Sequence, residues 1–217
     1  MNKKLTIEIL CQEAAIFGKV ESLHSEPILY GVTDGKAVET YLEHKFIRCL
    51  QERYDFIEGN SAKGIDFPEL NVDLKVTSIK QPQSSCPFKS ARQKIFGLGY
   101  ALLVFVYEKS DDNKSKTSRL NILHTVFVTS ARTADYQTTT GIRCILDNEG
   151  NEDDLLAFLE ERMLPVDSIE AQNIVDEVIK NPPKIGYLTI SNALQWRLQY
   201  RRIIEKAGEI DGVIKVS

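Results

Sequence analysis

The run Ala101-Leu102-Leu103-Val104-Phe105-Val106-Tyr107 constrains the fold of this chain more than any other stretch. Seven apolar residues in a row, with no polar alternation, describe a strand covered on both faces, because a strand with one wet face alternates in polarity. Such a strand needs a layer above it and a layer below. The chain has 217 residues, 42% of them hydrophobic, which is enough apolar surface for those layers.

The flanking segments read as the layers. Residues 5–17 predict a helix with Leu5, Ile9, Leu10 and Phe17 inward. Thr33 or Asp34 predicts the cap of a second helix running to about Tyr54, with Val38, Leu42, Cys49 and Leu50 on one stripe. Strands are predicted at 55–57, 65–67, 71–79, 120–128 and 142–146, and helices at 88–98, 130–136, 152–163, 169–179 and 192–207. Residues 81–87 and 109–118 read as polar loops, the second of them mobile. The order predicts an α/β fold: a central mixed sheet flanked by helices, plus a helical C-terminal part over about 150–217. With no Pro/Gly/Ser-rich linker and no repeat, residues 1–217 read as one domain.

Several classes are disfavoured. Cys11, Cys49, Cys86 and Cys144 form no C-x-x-C pair, and His24, His44 and His124 are scattered, which argues against zinc. Free thiols fit a reducing cytoplasm. No apolar run is long enough for a bilayer, and Glu8, Gln12 and Glu13 interrupt any signal-peptide core, so no membrane partner is expected. There is no P-loop and no Gly-x-Gly-x-x-Gly. The net charge of −4 counts against nucleic acid, but the charges are unevenly spread. Residues 75–94 hold Lys75, Lys80, Lys89, Arg92 and Lys94 with no acid, and residues 147–161 are acidic. A dipolar surface of that kind can bind DNA through one face.

The chemistry concentrates in Gly64-Ile65-Asp66-Phe67-Pro68-Glu69-Leu70-Asn71-Val72-Asp73-Leu74-Lys75-Val76-Thr77-Ser78. Asp73 and Lys75 are two apart, so a strand points both to one face while Val72, Leu74 and Val76 point to the other. Asp66 lies across the expected hairpin. Two carboxylates from adjoining strands suit a Mg²⁺ ion, which takes oxygen ligands and keeps several waters. A lysine beside them can activate a water or offset the charge developing on a phosphate. Acid-x-Lys occurs four times in the chain, but only the Asp73 copy sits in an apolar strand after another acid. The competing reading is an ordinary edge-strand ion pair.

In these residues the chain resembles the restriction-endonuclease-like P-D…(D/E)-x-K nuclease superfamily, and most of all its type II restriction endonucleases. The resemblance covers about residues 35–130 and assigns Asp66, Asp73 and Lys75 to the catalytic positions, with Asp66 and Asp73 as metal ligands. It also implies a glutamate on the preceding helix, for which Gly35-Lys36-Ala37-Val38-Glu39 nominates Glu39, with Glu43 as its rival. Gly64-Ile65 departs from the family, whose members often carry proline directly before the first acid; Asp55 and Glu58 are the reserve positions. The resemblance implies a Mg²⁺-dependent, sequence-specific endonuclease of double-stranded DNA, working as a homodimer in a prokaryotic cytoplasm. A repair or junction-resolving nuclease, or a non-catalytic DNA-binding protein, are the alternatives. Candidate DNA contacts are Ser84, Ser85, Lys89 and Arg92 after the strand, and Gln195, Gln199 and Arg202 on one face of the helix expected at 192–207. Lys80, odd-spaced from Lys75, is expected on the opposite face of the strand.

Overall fold

The computed structural model describes residues 3–59, 64–86, 89–191 and 196–217. In chain order the described elements are β1 (Lys3–Lys4), α1 (Ile7–Leu23), α2 (Gly35–Gln51), β2 (Tyr54–Asp55), β3 (Val72–Ser78), β4 (Gln83–Cys86), α3 (Gln93–Phe96), β5 (Ala101–Asp112), β6 (Thr117–Val128), α4 (Tyr136–Asp147), α5 (Glu152–Glu161), α6 (Ser168–Lys180), β7 (Thr189–Ile190), β8 (Trp196–Gln199), α7 (Arg201–Lys206) and β9 (Val213–Lys215).

The central sheet is mixed and has the order β3-β5-β6-β9. β5 pairs in parallel with β3 and antiparallel with β6, so it has a ladder on each side. Its residues 101–107 are all buried, as a doubly covered strand requires. Their side chains divide by parity. Leu103, Phe105 and Tyr107 join a core with Leu10, Phe17, Leu42, Phe46 and Leu50 of α1 and α2. Leu102, Val104 and Val106 face Leu188, Ile190, Leu198, Tyr200 and Ile203 on the other side. That second layer is a small antiparallel sheet in the order β4-β8-β7, followed by α7. A third core packs α3 with α4, α5 and α6. Among the described residues no helix is long and apolar enough to cross a membrane.

The α/β class and the mixed sheet between helices agree with the sequence reading. Several local expectations do not. Residues 65–67 form no strand; Phe67 makes one antiparallel bridge to Val72 around a tight turn. Asn71 takes the left-handed φ of 54° in that turn, a conformation Asn tolerates, and its side chain donates to the Gly99 carbonyl at 2.7 Å. Residues 109–118 are not a loop, because β5 and β6 stay paired out to Asp112 and Thr117. Residues 83–86 of the expected loop form β4, and the helix expected at 88–98 shortens to Gln93–Phe96. Residues 142–146, expected as a strand, lie in α4. Of the helix expected at 192–207, residues 192–195 lie outside the described residues, and the rest is a strand, β8, and then the short α7. The C-terminal part is therefore not simply helical, and β9 completes the central sheet by pairing with β6.

Candidate active site

β3 is an edge strand of the central sheet. Val72, Leu74 and Val76 enter the core under α1 and α2, so Asp73 and Lys75 project to the opposite face, as their spacing predicts. Lys75 Nζ lies 2.8 Å from an Asp73 carboxylate oxygen. The free edge of β3 exposes unpaired N–H groups. The Asp66 carboxylate accepts one of them, from Leu74, at 2.8 Å. That bond brings Asp66 within hydrogen-bonding reach of the Asp73 carboxyl.

The cluster is dry and charged. Asp73 is only 3% exposed. Burial pushes its carboxyl up to about 7; the neighbouring Lys75 ammonium opposes this, and the bond with Asp66 adds to it. Burial alone would discharge Lys75, but the adjacent Asp73 outweighs it and holds the ammonium charged more firmly than usual. Glu43, reaching in from α2, is pushed up to about 7 by burial and by the negative charges of Glu39 and Asp66, with Lys36 and Lys75 opposing. Glu39 faces the same region but is paired with Lys36 at 3.1 Å. Of the reserve acids, Glu58 accepts from Gln51 at 2.7 Å, and Asp55 lies on β2 paired with β1.

Asp66 and Asp73 bring two carboxyl groups to one spot, and oxygen donors of that kind suit a hard divalent cation. The crowding of Asp66, Asp73 and Glu43 around one ammonium fits such an ion. Among the described residues no three acids, histidines or cysteines close into a ready cage, so the pair would share the ion with water.

A cleft of about 830 Å³ opens beside this cluster. Lys75 and Glu39 line it together with Lys36, Lys80, Lys109, Arg197 and Asp111, so cations outnumber acids there although the chain is acidic. The strand ends at Ser78, and Lys80 follows in a turn that carries it into the cleft rather than onto the opposite face. Ser84 and Ser85 also line the cleft. Gln199 is exposed on β8, so it does not share a helix face with Arg202, and Gln195 lies outside the described residues. Arg202 stacks over the Tyr136 ring at 3.8 Å. Arg92 is ion-paired with Glu170, at 3.0 Å, and with Glu177. Lys89 is exposed, away from the cleft lining.

Sequence reasoning missed the wall behind the cluster. Tyr200 is fully buried, its hydroxyl bonded to Ser84 Oγ, and its ring end lies close enough to Lys75 and Asp73 for their charges to act on it. Burial raises its pKa, so it stays a neutral phenol. Tyr100 likewise reaches Cys86 Sγ at 3.7 Å. One signal was available: Arg197-Leu198-Gln199-Tyr200 alternates polar and apolar, the period of a strand.

Comparison with known proteins completes the description. The family model described as "Type II restriction enzyme NspV" matches residues 4–215. The chain is 67% identical to the type II restriction enzyme NspV of Nostoc sp. over 212 residues, which is 98% of this chain and 96% of that protein. No solved structure matches. An endodeoxyribonuclease is thus indicated by similarity along nearly the whole length, and the chain belongs to the NspV family of type II restriction enzymes.

Proposed function

We propose that this chain is a Mg²⁺-dependent endonuclease that hydrolyses phosphodiester bonds in duplex DNA, as one nuclease domain working in a homodimer in a prokaryotic cytoplasm. The observation that carries this reading is the meeting of Asp66, Asp73 and Lys75 on the edge of β3, at the mouth of a cationic cleft. Asp66 and Asp73 would hold the ion, with Glu43 or Glu39 completing the acidic group. The burial of Glu43 and its closeness to Asp66 and Lys75 favour Glu43, because Glu39 already has a cation in Lys36. Bound Mg²⁺ polarises water and draws charge from phosphate oxygens.

The remaining work falls to the chain. Lys75, charged and anchored by Asp73, stands where an ammonium offsets the extra negative charge on a phosphate under attack. The buried surroundings strengthen that attraction, since little water screens it. Lys36, Lys80 and Lys109 line the cleft and would hold the backbone by charge, and Ser85 lines it with them; Ser84 borders the cleft with its hydroxyl engaged by Tyr200, and Gln199 and Lys89 are exposed outside the lining, where they would meet the duplex only at its periphery. Arg92 and Arg202 are weaker candidates, because carboxylates and an aromatic ring already engage them. The homodimer is inferred from the family: two-fold related copies would bring one cluster to each strand of a symmetric sequence. A junction-resolving or non-catalytic reading has no observation of its own in its favour.

The test is a plasmid digest followed by sequencing of the ends. Discrete fragments should appear with Mg²⁺ and none with a chelator. Asp73→Ala and Lys75→Ala should each cut at least about 100-fold more slowly while keeping the fold. An Asp73→Ala protein cutting at the normal rate would remove the assignment.

A further inference from the structure

We infer that the outward face of the β4–β8 ribbon is the base-reading element, with Arg197 taking a guanine and Gln83 and Gln199 taking adenines in the major groove. The inference rests on the duplex-cleaving reading above and names the residues that give it sequence preference.

The two strands pair antiparallel, Gln83 opposite Gln199, Ser84 opposite Leu198 and Ser85 opposite Arg197. Parity sorts their side chains. Ser84, Cys86 and Leu198 turn inward, where Ser84 meets Tyr200, Cys86 meets Tyr100 and Leu198 is fully buried. Gln83, Ser85, Arg197 and Gln199 therefore share the outward face. On β7, Thr189 sits opposite Gln199 and extends the same row. Among the described residues, none of the four outward side chains on β4 and β8 has a hydrogen bond or ion pair. No carboxylate stands among them, so a nucleic acid meets no repulsion there.

Position and dimensions agree. Gln83, Ser85 and Arg197 line the same cleft as Lys75, so a duplex with its phosphate at Lys75 has its neighbouring groove at the ribbon. β7 adds a third strand of two residues beyond β8; the β4–β8 pair is the part that borders the cleft, and the major groove, about 12 Å wide, admits two such strands. Same-face residues on a strand are spaced about 6.8 Å apart, close to two base-pair steps, so Gln83 and Ser85 fall on different pairs. Arginine forks onto guanine O6 and N7, and glutamine onto adenine N6 and N7. The cleft lysines provide charge without base identity, and the ribbon provides identity with little charge.

The test compares cleavage of duplexes in which each position of the cut site, fixed first with the unaltered enzyme, is varied in turn. Arg197→Ala should lose roughly ten- to hundred-fold of its discrimination at one G·C pair, and Gln83→Ala or Gln199→Ala at an A·T pair. Arg197→Lys keeps the charge and loses the fork, so it should not restore the lost discrimination. Restoration by lysine, or a uniform loss over all sequences with a shallower salt dependence, would make Arg197 a phosphate contact and overturn the inference. Unchanged discrimination in all the variants would overturn it as well. A second arm selects bound duplexes from a random pool with the Asp73→Ala chain, with and without Arg197→Ala. A motif that keeps its G·C pair after Arg197→Ala counts against the ribbon, and loss of that pair supports it. Should the unaltered enzyme cut no duplex with Mg²⁺, the nuclease reading fails alone, and this selection still decides the ribbon.

Discussion

Asp73 is a carboxyl placed where a carboxylate does not want to be. Burial holds it and Glu43 at about 7, far above their ordinary range. A group whose proton is bound more tightly in the folded state stabilises that state below its unfolded pKa, and the contribution disappears as pH rises through the folded value. Without a divalent ion, the chain should therefore melt at a lower temperature near pH 8 than near pH 6. Asp73→Asn, which leaves a neutral group there at every pH, should flatten this dependence. Thermal melts in chelator across that range check it; a steeper fall for the Asn variant would contradict it. The two helix glutamates separate on the same grounds. Glu43→Gln should slow cleavage more than Glu39→Gln, with the difference concentrated in the Mg²⁺ concentration needed for half-maximal rate, because Glu43 stands within reach of the Asp66 and Lys75 charges while Glu39 is paired with Lys36.

The elements show which parts of the site could be read from sequence and which could not. The Asp73–Lys75 pair was legible because two residues on one strand share a face whatever surrounds them. The β5 run was legible for the same reason, its burial being written into seven consecutive apolar residues. The β4–β8 pairing was not, since it joins residues 110 or more positions apart and neither strand exceeds four residues. Leu194 and Leu198 match a helical stripe as well as Leu198 and Tyr200 match a strand face, and only the long-range partner decides. Asp66 was found without its strand: the residue is in place, but a single bridge and a tight turn carry it rather than a hairpin arm. The ribbon's back wall yields a prediction at this scale. Tyr200→Phe removes the hydroxyl that meets Ser84 and should cost about 1 kcal/mol in denaturant unfolding. Adding Ser84→Ala should cost less than the sum of the two single changes, because both remove one bond.

At the scale of the whole molecule, one chain offers one Asp66–Asp73–Lys75 cluster. A dimer assembled from one unaltered chain and one Asp73→Ala chain should therefore nick supercoiled plasmid at the recognised sequence and leave open circles, where the unaltered enzyme leaves linear fragments. Accumulation of linear product at the normal rate from purified mixed dimers would mean that one cluster attacks both strands. The sheet carries Asp73 and Lys75 on β3, with Asp66 in the turn before it; α1 and α2 cover its one face, and the β4-β8-β7 layer covers the other and borders the cleft.

The far half of the β5–β6 hairpin leaves the core and is tied down along its flank. Glu26 bridges to Ser118, Tyr30 donates to Asn113 at 2.8 Å, and the Gly31 amide donates to Asp111 at 3.1 Å. Lys109 and Asp111 on that hairpin line the cleft. The cavity is thus braced along one bank by a ladder with its own guy-ropes, while the opposite bank is the edge of a sheet of three short strands. A double helix settling in is pressed against a fixed rail, and whatever bending or widening the fit requires falls on the ribbon side or on the nucleic acid itself.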